Sequence, residues 1–260
     1  MAAKKFVVTG EQHERFYKRR WELERQFREG NIDPDKTNEV LQWLLEGKPV
    51  QRDFTQQILA GCNAPPPVIK KSRFDMGPLV KWEVFWINYG IKVSVSDIGI
   101  PAKVKGFNRL LIIPKDLTIQ KAYDLCSTKF ACWKDTEKSL DQVVTQNDRD
   151  AKNGSYAIRV RDRREADEEL RKMSADVLAS KGIKGITLLE RLVYELKYFD
   201  ETGKHLDINS WTLCSGSRKK VGDMPKVRFN DGHVGVSDCH PGSCLGDLRV
   251  REVIALDQAA

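Results

Sequence analysis

The segment T-L-L-E-R-L-V-Y-E-L-K-Y-F-D-E-T-G at residues 187–203 predicts the best-defined helix of the chain. Thr187 and Glu190 have the spacing of a capping box, in which each side chain binds the backbone N–H of the other residue. Leu188, Leu192 and Leu196 form part of a wide apolar face, and Gly203 is a suitable C-terminal stop. We therefore expect a helix at 187–200 in the core of the C-terminal half.

Strand patterns surround this helix. After it come short apolar segments at 211–214, 226–229, 233–236 and 248–254, and the turn sequence Asn230-Asp-Gly232 predicts a hairpin between the middle two. Before it, 109–113 and 155–160 resemble buried strands, Thr118 can cap a helix, and 165–179 resembles a charged helix. Because strands and helices do not alternate regularly, an α+β fold with a mixed, largely antiparallel sheet and packed helices is predicted.

The N-terminal part has a different pattern. Residues 11–29 and 34–47 resemble two amphipathic helices that form a hairpin, and a third short helix is expected near 53–59. Three successive prolines from Pro65 interrupt regular structure. After them, apolar residues alternate at 80–87 and again at 91–95, which predicts paired strands. We divide the chain into a helical unit at 1–60, a Pro-rich linker at 61–78 and an α+β domain at 79–260, with a further boundary near 150.

Composition indicates a folded chain and an intracellular location. Hydrophobic residues make up 40% and charged residues 31% of the 260 residues, which is unlike a disordered protein. No apolar run approaches the ~18 residues of a membrane-spanning helix, and the N-terminus lacks the apolar core of a secretory signal. We expect a cytoplasmic protein with no membrane partner. Its six scattered cysteines should then be reduced thiols.

Several motifs between 156 and 254 carry a resemblance. They are YAIRVRDRREADEELRKMSAD, ITLLERLVYELKYFDETGKHLDI, TLCSGSR, MPKV and LRVREVI. In these the chain resembles a family of hypothetical proteins frequent in candidate-phylum bacteria with small genomes. The family has no assigned activity, fold or ligand. The resemblance therefore implies only a bacterial cytosolic protein.

Two segments are candidates for catalysis. Cys214-Ser-Gly-Ser217 could hold a nucleophilic thiol beside a histidine base, although Ser and Gly also commonly end a strand. The carboxylates from Asp162 and Glu165 to Glu169 could form an acid–base pair, and they could equally stabilise the first turn of a helix. Either segment would suit a hydrolase-type enzyme.

Metal binding has little support in the sequence. The possible ligands Cys214, Cys239, His240 and Cys244 do not form the two close pairs that are usual in structural zinc sites. The common nucleotide-binding and metalloprotease motifs are also missing from the sequence. We expect neither a metal nor a cofactor.

The net charge of +7 makes nucleic acid the favoured partner, with another protein as the alternative. The basic excess is spread along the chain and is largest in residues 1–75. Candidate binding residues lie in the first helix, in the linker and in a later loop: Arg19, Arg20, Trp21, Lys70, Lys71, Arg218, Lys219 and Lys220. Glutamates in the first helix partly cancel its charge, so its aromatic residues could instead pack within the hairpin.

The basic charge gives binding more support than the catalytic and metal candidates receive. We favour a binding or interaction module over an enzyme.

Overall fold

The computed structural model describes residues 77–95 and 98–256, together with scattered positions between 19 and 42. The chain divides into two compact units, Met1–Val84 and Phe85–Ala260. Of the predicted helical hairpin, described positions such as Arg19, Leu23 and Gln42 are helical, and the rest lies outside the described residues. Within the described part of the chain, no helix is both long enough and apolar enough to cross a membrane.

Helices and strands intermix from residue 78 onwards. In the described ranges the helices are α1 (Pro78–Asn88), α2 (Ile119–Ser127), α3 (Leu140–Val143), α4 (Ala175–Ser180) and α5 (Leu188–Thr202). The strands are β1 (Arg109–Ile113), β2 (Cys132–Lys134), β3 (Val144–Asn147), β4 (Tyr156–Val160), β5 (Trp211–Leu213), β6 (Ser217–Lys219), β7 (Met224–Asn230), β8 (His233–Cys239), β9 (Leu248–Val250) and β10 (Ile254–Ala255). Short 3₁₀ turns lie at Ala151–Asn153 and Glu168–Leu170.

The strands form three sheets. β1, β4 and β10 form an antiparallel sheet with β4 in the middle, and β3 pairs with β6. The largest sheet has the order β2-β8-β7-β5-β9, in which the β7 pairs are antiparallel and both edge strands are parallel to their neighbours. The α+β class with mixed and antiparallel sheets is thus confirmed.

The predicted capping box of α5 is present. The Thr187 hydroxyl accepts from the Glu190 N–H at 3.2 Å, and the Glu190 carboxylate accepts from the Thr187 N–H at 2.8 Å. Gly203 ends the helix with a φ of 65°, the left-handed conformation that glycine adopts readily. Arg149 further fixes this end, because its guanidinium donates two hydrogen bonds to the Glu190 carboxylate.

Helix α5 is the central element of the second unit, as predicted. It packs against α2, β1 and β7, and every residue from Leu188 to Lys197 is buried. A helix that is buried on all sides must satisfy its charged side chains internally. Lys197, for example, lies 3.4 Å from the Glu201 carboxylate and 4.5 Å from the ring centre of Phe85.

A fully buried ion cluster joins α5 to the loop before β5. The Asp207 carboxylate accepts hydrogen bonds from Arg191, Arg251 and the Thr212 hydroxyl. Arg191 also donates to Glu195 at 2.7 Å, so two guanidinium groups face two carboxylates. Burial opposes ionisation of Asp207, but Arg251 and Arg191 hold the pKa of its carboxyl below the usual value. The cluster is therefore an ionised and mutually compensated group inside the protein.

The predicted hairpin of β7 and β8 is confirmed. Asp231 and Gly232 form its two-residue turn with φ values of 50° and 81°, as a type I′ turn requires. Side chains of β7 alternate between the two faces of the sheet. Val227 is fully buried, while Lys226 and Arg228 on the opposite face are half-buried.

Part of that opposite face is covered by the chain between 170 and 178. Leu213, Met224, Leu248 and Val250 form an apolar cluster there with Leu170, Ala175 and Leu178. Trp211 packs at the margin of this cluster. The part of the face that extends from Trp211 at this margin towards β2 carries the candidate site described below.

The prediction of strands at 80–87 is wrong, because these residues belong to α1. The apolar pattern of this segment fits a helix and a strand. The spacing of Trp82, Phe85, Trp86 and Tyr89 places them on one face of a helix, and the apolar residues also partly alternate as in a strand. Pro78 at the first helical position favours the helix. In addition, the Trp86 indole donates to the Ile112 carbonyl at 3.0 Å, a contact between distant residues. The expected strand at 91–95 is also wrong, since that segment has neither helix nor strand.

The predicted helix at 165–179 is interrupted. Asp167 forms a β-bridge with Val250, and Lys172 adopts a φ of 60°, which no α-helix accommodates. Only α4 is helical, and Ser174 caps it by accepting from the Val177 N–H. The single strand expected at 248–254 is likewise two strands, β9 and β10, in different sheets.

Candidate functional site

The candidate nucleophile Cys214 lies in the interior. Its side chain has no exposed surface, and burial raises the pKa of the thiol. The reactive form of cysteine is the thiolate, which such an environment disfavours. Cys214 therefore acts as a small apolar core residue in this structure.

The candidate carboxylates do not share one site. Glu165 accepts hydrogen bonds from the backbone of Ile208 and the hydroxyl of Ser210, so it anchors the loop before β5. Asp162 is exposed. The three that follow bind arginines: Asp167 pairs with Arg161, Glu168 with Arg171 and Arg249, and Glu169 with Arg163. These carboxylates stabilise loops and turns.

The candidate metal ligands are also dispersed. Cys239 is half-buried and Cys244 is exposed, whereas Cys214 is enclosed. No group of three histidine, cysteine, aspartate or glutamate side chains is arranged to hold a metal ion in the described part of the chain.

The basic candidates have different environments. Arg19 and Arg20 are exposed, and Trp21, Lys70 and Lys71 lie outside the described residues. The guanidinium of Arg218 donates to the Ser215 and Ser217 carbonyls, and the Lys219 ammonium lies against Asp135 and Asp238. Lys220 is exposed. Of the loop triplet, Arg218 and Lys219 have structural partners.

A cleft of about 490 Å³ lies between the start of α2 and the segment 144–152. Its size is typical of small-molecule sites. However, two of its charged groups already have partners. Asp141 accepts from the Ile119 and Gln120 N–H groups, and Arg149 is held by Glu190 and the Gly185 carbonyl. These two groups are therefore engaged within the protein.

The face of the five-stranded sheet that carries Lys226 and Arg228 has a different character. We call it the indole face, and it consists of Trp133, Trp211, Lys226, Arg228, His233 and Gly235. Four of these residues follow one line across the sheet. Trp133 pairs with Gly235, and Gly235 pairs with Arg228. In the pairing of β5 with β7, Leu213 lies opposite Lys226 and Thr212 opposite Val227. The next position in this register places Trp211 beside Arg228.

Trp133 is the most exposed aromatic residue of this face. Its residue is 49% exposed, which is unusual for a tryptophan on a sheet. Its ring centre lies 6.4 Å from that of His233 in an edge-to-face arrangement. An indole that retains a solvent-accessible surface beside a second ring can accept a further planar group.

Lys226 and Arg228 supply positive charge next to Trp211. The Lys226 ammonium lies 4.7 Å from the Trp211 ring centre, and the Arg228 guanidinium carbon lies 6.0 Å from it. Both distances fit a cation–π interaction. Arg228 is also held by the Ile208 carbonyl and lies 3.7 Å from Asp247, whereas Lys226 forms no ion pair with any residue that the structure describes.

The sequence contained part of the information needed to find this face. The Asn230-Asp-Gly232 turn fixes the register of β7 and β8, and alternation then places Lys226 and Arg228 on one side. The sequence did not show that β2, about 100 residues before β8, pairs with β8 in parallel and brings Trp133 onto the same side of the sheet as Lys226 and Arg228.

Comparisons of the chain with protein-family models, with curated proteins and with solved structures found no significant match.

Proposed function

We propose that this protein is a nucleic-acid-binding module and that the indole face is its binding surface. The observation that carries the proposal is the line of Trp133, Gly235, Arg228 and Trp211 across four adjacent strands. It combines exposed aromatic surface with two cations on one face of a sheet. Aromatic side chains stack on bases, and lysine or arginine neutralises phosphates.

The charge of the surroundings supports the same partner. The whole chain has a net charge of +7, which attracts polyanions at long range. At the face itself, Arg228 already has a carboxylate neighbour, since its guanidinium lies 3.7 Å from Asp247. Lys226 therefore remains the cation best placed to contact a phosphate.

The proposal differs from the sequence prediction in its residues. The sequence favoured Arg19, Arg20, Trp21, Lys70, Lys71 and the triplet 218–220 as the contact surface. Arg218 and Lys219 already have partners within the protein. We assign the contact to Lys226 and its neighbours because there a cation without an ion-pair partner among the described residues lies on the same sheet face as the exposed Trp133 and adjoins the half-buried Trp211.

Replacing Lys226 by glutamine should weaken nucleic-acid binding and its dependence on salt. Each lost phosphate contact lowers the slope of log K against log [salt] by about 0.7 to 0.9. The slope would be measured by fluorescence anisotropy with a labelled oligonucleotide at several salt concentrations. Lys220→Gln is the matched control, since it removes the same charge from an exposed site in the loop after β6.

Two results would contradict the proposal. One is that the parent protein does not bind DNA or RNA at micromolar concentration and low salt. The other is that Lys220→Gln, or combined replacement of Arg19, Arg20 and Lys71, lowers the slope while Lys226→Gln leaves it unchanged.

A further inference from the structure

Gly235 occupies a position where neither the backbone nor the packing requires glycine. Its φ is outside the left-handed region, and the β7–β8 pairing runs through Arg228–Gly235 without a bulge. A Cβ at this position would meet its nearest atoms at 3.7 to 3.9 Å, which is ordinary van der Waals contact. Glycine inside a strand costs stability, and it often marks a close approach by a ligand or another group.

The group that approaches Gly235 is the indole of Trp133. Its Cε3 atom lies 3.7 Å from the position that a Cβ at residue 235 would occupy. A methyl group fits in this space, but a branched side chain would extend into the volume of the indole. A small residue at position 235 therefore lets the indole rest over β8 while about half of Trp133 stays accessible.

We infer that the ligand of the indole face is single-stranded nucleic acid, with one unpaired base stacked on the Trp133 indole over Gly235. This inference rests on the proposed function. A base in a duplex is stacked between its neighbours and cannot place its plane on an aromatic side chain, whereas a base in a single strand can. The exposed indole thus selects for unpaired bases.

The line across the sheet also defines a path for the strand. Three interstrand steps of about 4.8 Å separate Trp133 from Trp211, a distance of about 14 Å. Arg228 and Lys226 lie towards the Trp211 end. A strand along this line places a base on Trp133 and its backbone phosphates at Lys226 and Arg228. Trp211, whose ring adjoins both cations, positions them.

The test uses the full chain and three labelled probes, which are single-stranded oligo-dT, single-stranded oligo-U and a duplex of equal length. Each probe has about twelve nucleotides, a length within known site sizes for single-strand binding. Unlabelled poly-glutamate serves as an acidic polypeptide competitor. The parent should bind both single strands more tightly than the duplex. Trp133→Ala should bind the single strands roughly 5- to 100-fold more weakly, and Trp133→Phe should recover most of the loss.

Gly235 supplies a matched pair of variants. Gly235→Ala should keep the affinity, because a Cβ fits there, and its melting temperature should be no lower than that of the parent, because glycine inside a strand costs stability. Gly235→Val should weaken single-strand binding several-fold by displacing the indole. Duplex affinity should not respond to any change at residue 133 or 235. Melting curves of all variants check that each is folded.

The outcomes separate the two proposals. If Lys226→Gln weakens binding but Trp133→Ala and Trp133→Phe do not, or if duplex and single strands bind equally well, this inference is wrong and the proposed function remains. If poly-glutamate displaces the oligonucleotides at equal charge concentration, base stacking is not the basis of recognition and the inference is wrong. If no probe binds the parent, both proposals are wrong.

Discussion

Asp207→Asn should destabilise the protein by about 3 to 5 kcal/mol, a large part of the 5 to 15 kcal/mol that a typical domain has. Asp207 compensates Arg191 and Arg251 in the interior. The variant would leave Arg191 with Glu195 as its carboxylate partner and Arg251 with no carboxylate partner among the described residues. Asparagine is preferable to alanine here because residue 207 has a φ of 53°, a conformation that asparagine tolerates. Urea denaturation at neutral pH measures the effect.

The same variant has a defined pH dependence. The carboxyl of Asp207 has a lowered pKa in the folded protein, so its contribution to stability is present above the unfolded pKa of about 3.9. That contribution is lost as the pH falls through the lower, folded pKa. The difference in stability between the parent and Asp207→Asn should therefore be constant near neutral pH and should shrink below about pH 4.

Glu169→Gln is the control for this prediction. It also removes one carboxylate charge from a pair with an arginine, but the Arg163–Glu169 pair is exposed to solvent. Exposed pairs contribute about 0 to 1 kcal/mol. If Asp207→Asn were no more destabilising than Glu169→Gln, the buried cluster would not be the ionised group described above.

Leu192→Ala should destabilise the protein by about 2 to 5 kcal/mol, because it opens a cavity at the centre of α5. Leu192 is fully buried on the helix that packs against α2, β1 and β7. Leu245→Ala makes the same chemical change at a residue that is 53% exposed, and it should alter stability by no more than about 0.5 kcal/mol. Equal melting temperatures for the two variants would contradict the central position of α5.

The correct predictions rest on short-range chemistry. Thr187 and Glu190 are only three residues apart, so the pattern of their capping box is visible in the local sequence. The Asp231-Gly232 turn similarly needs two positive φ values, which its own residues favour. Such patterns specify where α5 begins and how β7 and β8 pair.

The wrong predictions involve residues whose structure depends on distant partners. Trp86 is helical with its indole bonded to Ile112, although its apolar neighbours also alternate as in a strand. Asp167 leaves the expected helix to pair with Val250, more than 80 residues later. Local propensity is a weak prior that tertiary contacts override, so a single sequence could not exclude the alternatives.

The candidate site depended on distant partners for the same reason. Trp133 and Gly235 become neighbours through a parallel pair between β2 and β8, and parallel pairing needs long connections that leave no local pattern. The sequence therefore drew attention to consecutive basic residues such as Arg218, Lys219 and Lys220. The structure instead gives Arg218 and Lys219 partners within the protein.

Ultraviolet cross-linking of a single-stranded oligo-U probe to the full-length protein, followed by peptide mapping, tests the central claim most directly. A base stacked on Trp133 should cross-link to the peptide that contains this residue, and Gly235→Val should reduce the yield while Gly235→Ala should not. Cross-links confined to residues 17–28 or 70–73, with none at Trp133, would show that nucleic acid binds elsewhere and would contradict the assignment of the indole face.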